Sequence, residues 1–84
     1  MSTLTVDQIR MARAALGWSL EVMAEKSGVS SRTIRRIESE GGLKNATNAN
    51  MRLIRETLEA AGIEFIGEVG EGPGVRLWTK SNLS

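Results

Sequence analysis

The stretch that decides the fold is WSLEVMAEKSGVSSRTIRRIESEG, residues 18–41. It contains two short amphipathic segments, each opened by a serine able to accept a hydrogen bond from the free N–H groups of a first helical turn. Ser19 caps the first, about residues 19–27, and Glu21 sits near the positive end of its dipole. Val22, Met23 and Ser27 face inward, and Gly28 ends the helix. Only Val29 and Ser30 precede the second helix, which Ser30 caps and which runs over about residues 30–40 to Gly41-Gly42. Each cap stabilises its helix by about 1 kcal/mol. Ile34 and Ile37 mark the buried side of the second helix. At about 100° per residue, Arg32 and Arg36 point almost directly away from it, with Arg35 and Ser39 flanking them. A purely solvated face would do equally well with Lys, Glu and Gln mixed, so three arginines within five residues ask for another reason.

Two helices joined by a turn of three or four residues that includes a glycine form the helix-turn-helix pattern. Ala24 is small where the two helices must cross closely. Gly28 can adopt the positive φ that a sharp reversal requires. Val29, Ile34 and Ile37 fill the angle between the helices. A helix docked in the DNA major groove presents its N-terminal residues to base edges, and Ser31 projects from that first turn. Arginine can bind guanine O6 and N7 with two parallel hydrogen bonds, giving roughly 1–3 kcal/mol of discrimination.

Outward from this core, TVDQIRMARAALG (residues 5–17) reads as an earlier helix. Thr5 is its N-cap, Gln8 has capping-box spacing, and Ile9, Ala12 and Leu16 recur on one face up to Gly17. Trp18 is expected in the core between the first two helices. Thr47 caps a fourth helix whose Met51, Ile54, Leu58 and Ala61 form one stripe, with Arg52 and Arg55 solvated and Gly62 as the stop. The period then changes. IEFI and VRLW alternate faces around GEVGEGPG, a turn-rich segment, so residues 63–78 form a β-hairpin. The expected organisation is a helix-turn-helix domain over 1–62, the hairpin extension over 63–78, and a tail over 79–84. The fold class is mainly α, four helices followed by a C-terminal hairpin.

Composition narrows the function. The 84 residues include no cysteine and no histidine, so no disulfide, no thiolate or imidazole metal site and no Cys–His or Ser–His catalytic pair is expected. The Gly-rich stretch lies between strands and carries Glu68 and Glu71, a poor phosphate cradle. No cofactor and no enzymatic activity are expected. From Lys26 to Arg55 there are seven basic residues against two acidic, whereas Glu59 to Glu71 holds four acidic and no basic ones. That asymmetry points to one face meeting a polyanion while another does not. No signal peptide and no apolar run near the roughly 18 residues of a membrane span are visible, which predicts a soluble cytoplasmic protein.

The stretch over residues 18–41 resembles the helix-turn-helix of the Xre family, the small lambda-repressor-like DNA-binding domains, and the similarity extends from about Val6 to Ala61. Ala24, Gly28, Val29, Ser30, Ile34, Ile37 and Glu38 fall on the family's motif positions. The resemblance implies an all-α bundle whose third helix reads double-stranded DNA. Base contacts would map onto Ser31, Arg32 and Arg36, with Arg35 in reach of base or phosphate. Phosphate contacts would map onto Ser19, Ser30, Lys44 and Asn45. Arg13 and Glu38 match positions that pair in some members, tying the first helix to the reading helix. After Ser19 the family usually carries a phosphate-binding Gln where this chain has Leu20. A hairpin also stands in place of the family's fifth helix.

In the hairpin, Ile63, Phe65, Val75 and Leu77 share the face expected to pack on the helices. Glu64, Ile66, Arg76 and Trp78 form the other, with Glu64 and Arg76 able to pair across the strands. Ile66 and Trp78 leave that face partly apolar, and an isolated two-stranded hairpin is marginal in water. Ile66, Arg76 and Trp78 are therefore the candidate surface for a second copy or another protein. The expected function is a sequence-specific DNA-binding transcriptional regulator, a homodimer on an inverted repeat with its recognition helix in the major groove. The alternative is an antitoxin or adaptor whose hairpin binds a partner protein, with DNA binding autoregulatory or lost.

Overall fold

Capped helices set the architecture. The computed structural model describes residues 4–39, 42–68 and 70–78, with residues 43 and 45 described by their backbone alone. Helix α1 (Val6–Leu16) opens on a reciprocal capping box: the Gln8 N–H donates to Thr5 Oγ1 and the Thr5 N–H donates to Gln8 Oε1, both at 3.0 Å. It closes at Gly17. Helix α2 (Leu20–Ser27) is capped by Ser19, α3 (Ser31–Glu38) by Ser30 and α4 (Asn48–Ala60) by Thr47.

Helix α3 is shorter than the sequence reading of about 30–40. It ends at Glu38, and Ser39 is already extended, with its N–H and hydroxyl both donating to the Arg36 carbonyl. A serine that satisfies the last turn in this way stops the helix before the glycines do. The connector also carries an unforeseen 3-10 turn, Gly42–Asn45, which packs against α3. The expected tail, residues 79–84, lies outside the described residues.

Strands β1 (Ile63–Ile66) and β2 (Gly74–Leu77) pair antiparallel, Ile63 with Leu77, Glu64 with Arg76, Phe65 with Val75 and Ile66 with Gly74. Trp78 follows β2, and its N–H donates to the Gly62 carbonyl at 2.7 Å. Gly62 is required there. Its φ is +105°, and a Cβ would lie 2.5 Å from the Trp78 carbonyl oxygen.

One core joins these elements. Ile9, Ala12, Met23, Ile34, Ile37, Ile54 and Leu58 are fully buried, with Leu4, Val29 and Ile63 nearly so. Phe65, Val75 and Leu77 pack against this cluster from the hairpin. Each buried isoleucine or leucine contributes about 1.5–3 kcal/mol relative to exposure. Trp18 is only half-buried rather than a core residue: it packs on the edge of the cluster, with the Lys26 ammonium 5.4 Å from its ring centre. Arg55 is likewise not simply solvated, since it lies 5.5 Å from the Phe65 ring and pairs with Glu59 at 3.2 Å.

Candidate nucleic-acid interface

The turn between α2 and α3 is held by its own short side chains. Buried Ser27 accepts a hydrogen bond from the Val29 N–H at 3.1 Å. Gly28 takes φ +79°, and its N–H closes on the Ala24 carbonyl at 2.9 Å. Ser30 then accepts from the Thr33 N–H at 3.1 Å and donates its hydroxyl to Thr33 Oγ1 at 2.9 Å. With Val29, Ile34 and Ile37 buried beneath the turn, the angle between the two helices is fixed from both inside and outside.

That angle determines what α3 shows. Because Ile34 and Ile37 are fully buried, Arg32, Arg35 and Arg36 all lie exposed on the outer side of the helix, and Ser31 is half-buried in its first turn. Arg35 and Arg36 occupy the last turn, where the negative end of the dipole favours cations. Lys44 is exposed in the 3-10 turn that packs on α3. Ser19 is exposed at the start of α2, its Oγ accepting from the Val22 N–H at 3.1 Å. The side chain of Asn45 lies outside the described residues.

Behind this face, Arg13 grips Glu38. Its Nε and Nη2 donate to the two carboxylate oxygens at 3.0 and 2.8 Å, and Nη1 donates to the Trp18 carbonyl at 3.1 Å. The Glu38 carboxylate, through these hydrogen bonds, raises the Arg13 pKa above its already high ordinary value. Glu38 side-chain exposure is only 9%, so the pair is largely withdrawn from solvent. It joins α1, the α1–α2 loop and α3 in one contact.

Residues 9–62, which include this turn and the arginines of α3, match a family model for helix-turn-helix domains. The chain belongs to this lambda-repressor-like helix-turn-helix family. No curated protein matches it individually. The helix-turn-helix match ends at Gly62, and β1 and β2 lie beyond it. The family is one of DNA-binding regulators. Among the described residues no group of three His, Cys, Asp or Glu could hold a metal ion, and no helix is long and apolar enough to cross a membrane.

Within this helix-turn-helix domain Leu20 turns inward. It is half-buried and packs against the core cluster, so its apolar side chain adds to the body of the domain at the place where family members usually carry a polar one. Gln8 is the residue whose role the sequence concealed. Besides closing the capping box, its Nε2 donates to the Ile66 and Gly74 carbonyls, each at 3.0 Å. It is 1% exposed and clasps the hairpin to α1.

Proposed function

We propose that this protein is a sequence-specific DNA-binding transcriptional regulator that acts as a homodimer on a short inverted repeat. The observation that carries the reading is the exposure of Arg32, Arg35 and Arg36 on the outer side of a helix anchored by two fully buried isoleucines, in a chain of this family. Helix α3 enters the major groove, where Arg32 and Arg36 bind guanine edges and Ser31 contacts an adjacent base. Arg35 reaches base or phosphate. Ser19, Ser30, Lys44 and Asn45 contact phosphates and set the register, giving salt-dependent affinity. Ser30 does so with a hydroxyl that also serves Thr33, so its contribution is smaller than that of Ser19. Arg13 touches no DNA; it keeps α3 aligned through Glu38.

Size supports the dimeric part. The chain measures 41 × 31 × 19 Å, so two copies side by side can set their α3 helices about 34 Å apart, one turn of B-DNA. One reading helix covers only a few base pairs, too few to define a genomic site.

The test is selection of bound duplexes from a randomised pool at about 150 mM salt, where non-specific binding is weak. The expected result is a twofold-symmetric, G-containing sequence that is lost with Arg32→Ala or Arg36→Ala. No enrichment by folded protein would remove the regulator reading. It would favour the adaptor or antitoxin alternative, in which the hairpin meets another protein.

A further inference from the structure

The outward face of the hairpin is pre-arranged for contact. Trp78 is 62% exposed, yet its indole N–H donates to Glu64 Oε1 at 2.8 Å. Arg76 Nη1 donates to the same oxygen at 3.1 Å, and its guanidinium lies 5.7 Å from the Trp78 ring centre. The one polar atom of the indole is therefore satisfied within the chain, and the ring presents apolar surface in a fixed orientation. A side chain already ordered loses little rotamer freedom on binding, and Trp and Arg are the types that dominate binding energy at interfaces. The support is equally firm. Gln8 holds both strands from behind, and Phe65, Val75 and Leu77 pack the inner face onto the core.

Net charge argues against one occupant and register for another. The hairpin carries Glu64, Glu68 and Glu71 against Arg76 alone, which disfavours a polyanion at this face. Glu64 and Arg76 stand directly opposite each other across the strand pair. A twofold axis parallel to the strands, between two such faces, sets each Glu64 beside the Arg76 of the other copy, which is the self-complementarity an isologous contact requires. We infer that the Glu64–Arg76–Trp78 face of the hairpin is an isologous interface with a second copy of this chain. The inference rests on the dimeric reading above and names its surface.

The test is sedimentation velocity on the full chain at about 100 µM, above the micromolar dissociation constants typical of small interfaces. Wild type sediments as a dimer and Trp78→Ala as a monomer. Arg76→Glu and Glu64→Arg each sediment as monomers, because each sets like charges against one another. Mixed in equal amounts, these two charge variants form a heterodimer. All three positions are exposed, so the variants keep the wild-type helical circular dichroism. The charge-swap mixture decides the matter even where Trp78→Ala unfolds. A dimer that persists in all three variants would overturn this face while leaving the dimeric reading intact. Monomeric wild type would also overturn the face, and the number of chains on the selected duplex would then decide the dimeric reading by itself.

Discussion

Arg13 and Glu38 join the end of α1 to the end of α3 by two parallel hydrogen bonds of 3.0 and 2.8 Å. Glu38 belongs to the helix that carries Arg32, Arg35 and Arg36, so the pair bears on stability and on alignment together. Arg13→Ala leaves the shielded Glu38 carboxylate without its partner and is expected to cost about 2 kcal/mol. Arg13→Lys recovers only part of this, because an ammonium cannot make the bidentate contact. The double variant Arg13→Met, Glu38→Leu regains most of the loss, since an apolar pair of similar volume needs no compensating charge. Urea unfolding of the four proteins checks the order.

Gln8 supports a second expectation. Gln8→Ala leaves the Thr5 N–H and the Ile66 and Gly74 carbonyls short of a partner and is expected to destabilise by about 2–3 kcal/mol. Gln8→Glu is worse at pH 7, because the introduced carboxylate faces two carbonyl oxygens in a buried site. Its pKa is raised in the folded state, so the folded protein binds the extra proton. The stability of Gln8→Glu therefore increases as pH falls, opposite in direction to a glutamate held by donors. Thermal melts of this variant across the acidic range read that slope directly.

These two residues mark what the sequence reveals and what it conceals. The four helices and the hairpin were legible because each rests on local chemistry: Thr5, Ser19, Ser30 and Thr47 as caps, Gly17 and Gly28 as stops, and a change of period after Gly62. Which face of α3 is buried followed from the spacing of Ile34 and Ile37. The early end of α3 was not legible, because it depends on how Ser39 turns back onto the Arg36 carbonyl rather than on residue type. Nor was the clasp by Gln8, whose local role as a capping-box partner explained it completely; its hairpin partners are 58 and 66 residues away. Trp18 was misplaced because the hydrophobicity of a ring does not say whether a lysine will cover one of its faces.

The residues proposed to read bases and those proposed to bind phosphate should separate by their response to salt and sequence. Arg32→Ala is expected to lose roughly 1–3 kcal/mol on the selected duplex and to relax the preference at one base position. Lys44→Ala weakens binding to all duplexes about equally and reduces the slope of log K against log salt by about 0.9. Leu20→Gln acts in the opposite sense. It introduces a donor at the start of α2 and is expected to raise affinity for all duplexes, at a small cost in stability from the packing it removes. Titrations at several salt concentrations, on selected and scrambled DNA, distinguish the three.

The last expectation concerns pH and the hairpin. The Trp78 indole N–H, with Arg76 adding its charge and a hydrogen bond, holds the Glu64 carboxyl below the ordinary glutamate value, which is about 4.3. A depressed folded-state pKa means the contribution of this cluster is complete above that ordinary value. It is lost as pH falls through the lower folded one. Protonation removes the acceptor shared by Trp78 and Arg76 and frees the ring. In a Trp18→Phe background, the emission of Trp78 alone should therefore change with a midpoint below about 4.3, and Glu64→Gln should abolish that transition. A midpoint at or above the ordinary value would mean that Glu64 does not hold the indole in solution, and the pre-arranged face would lose its physical basis.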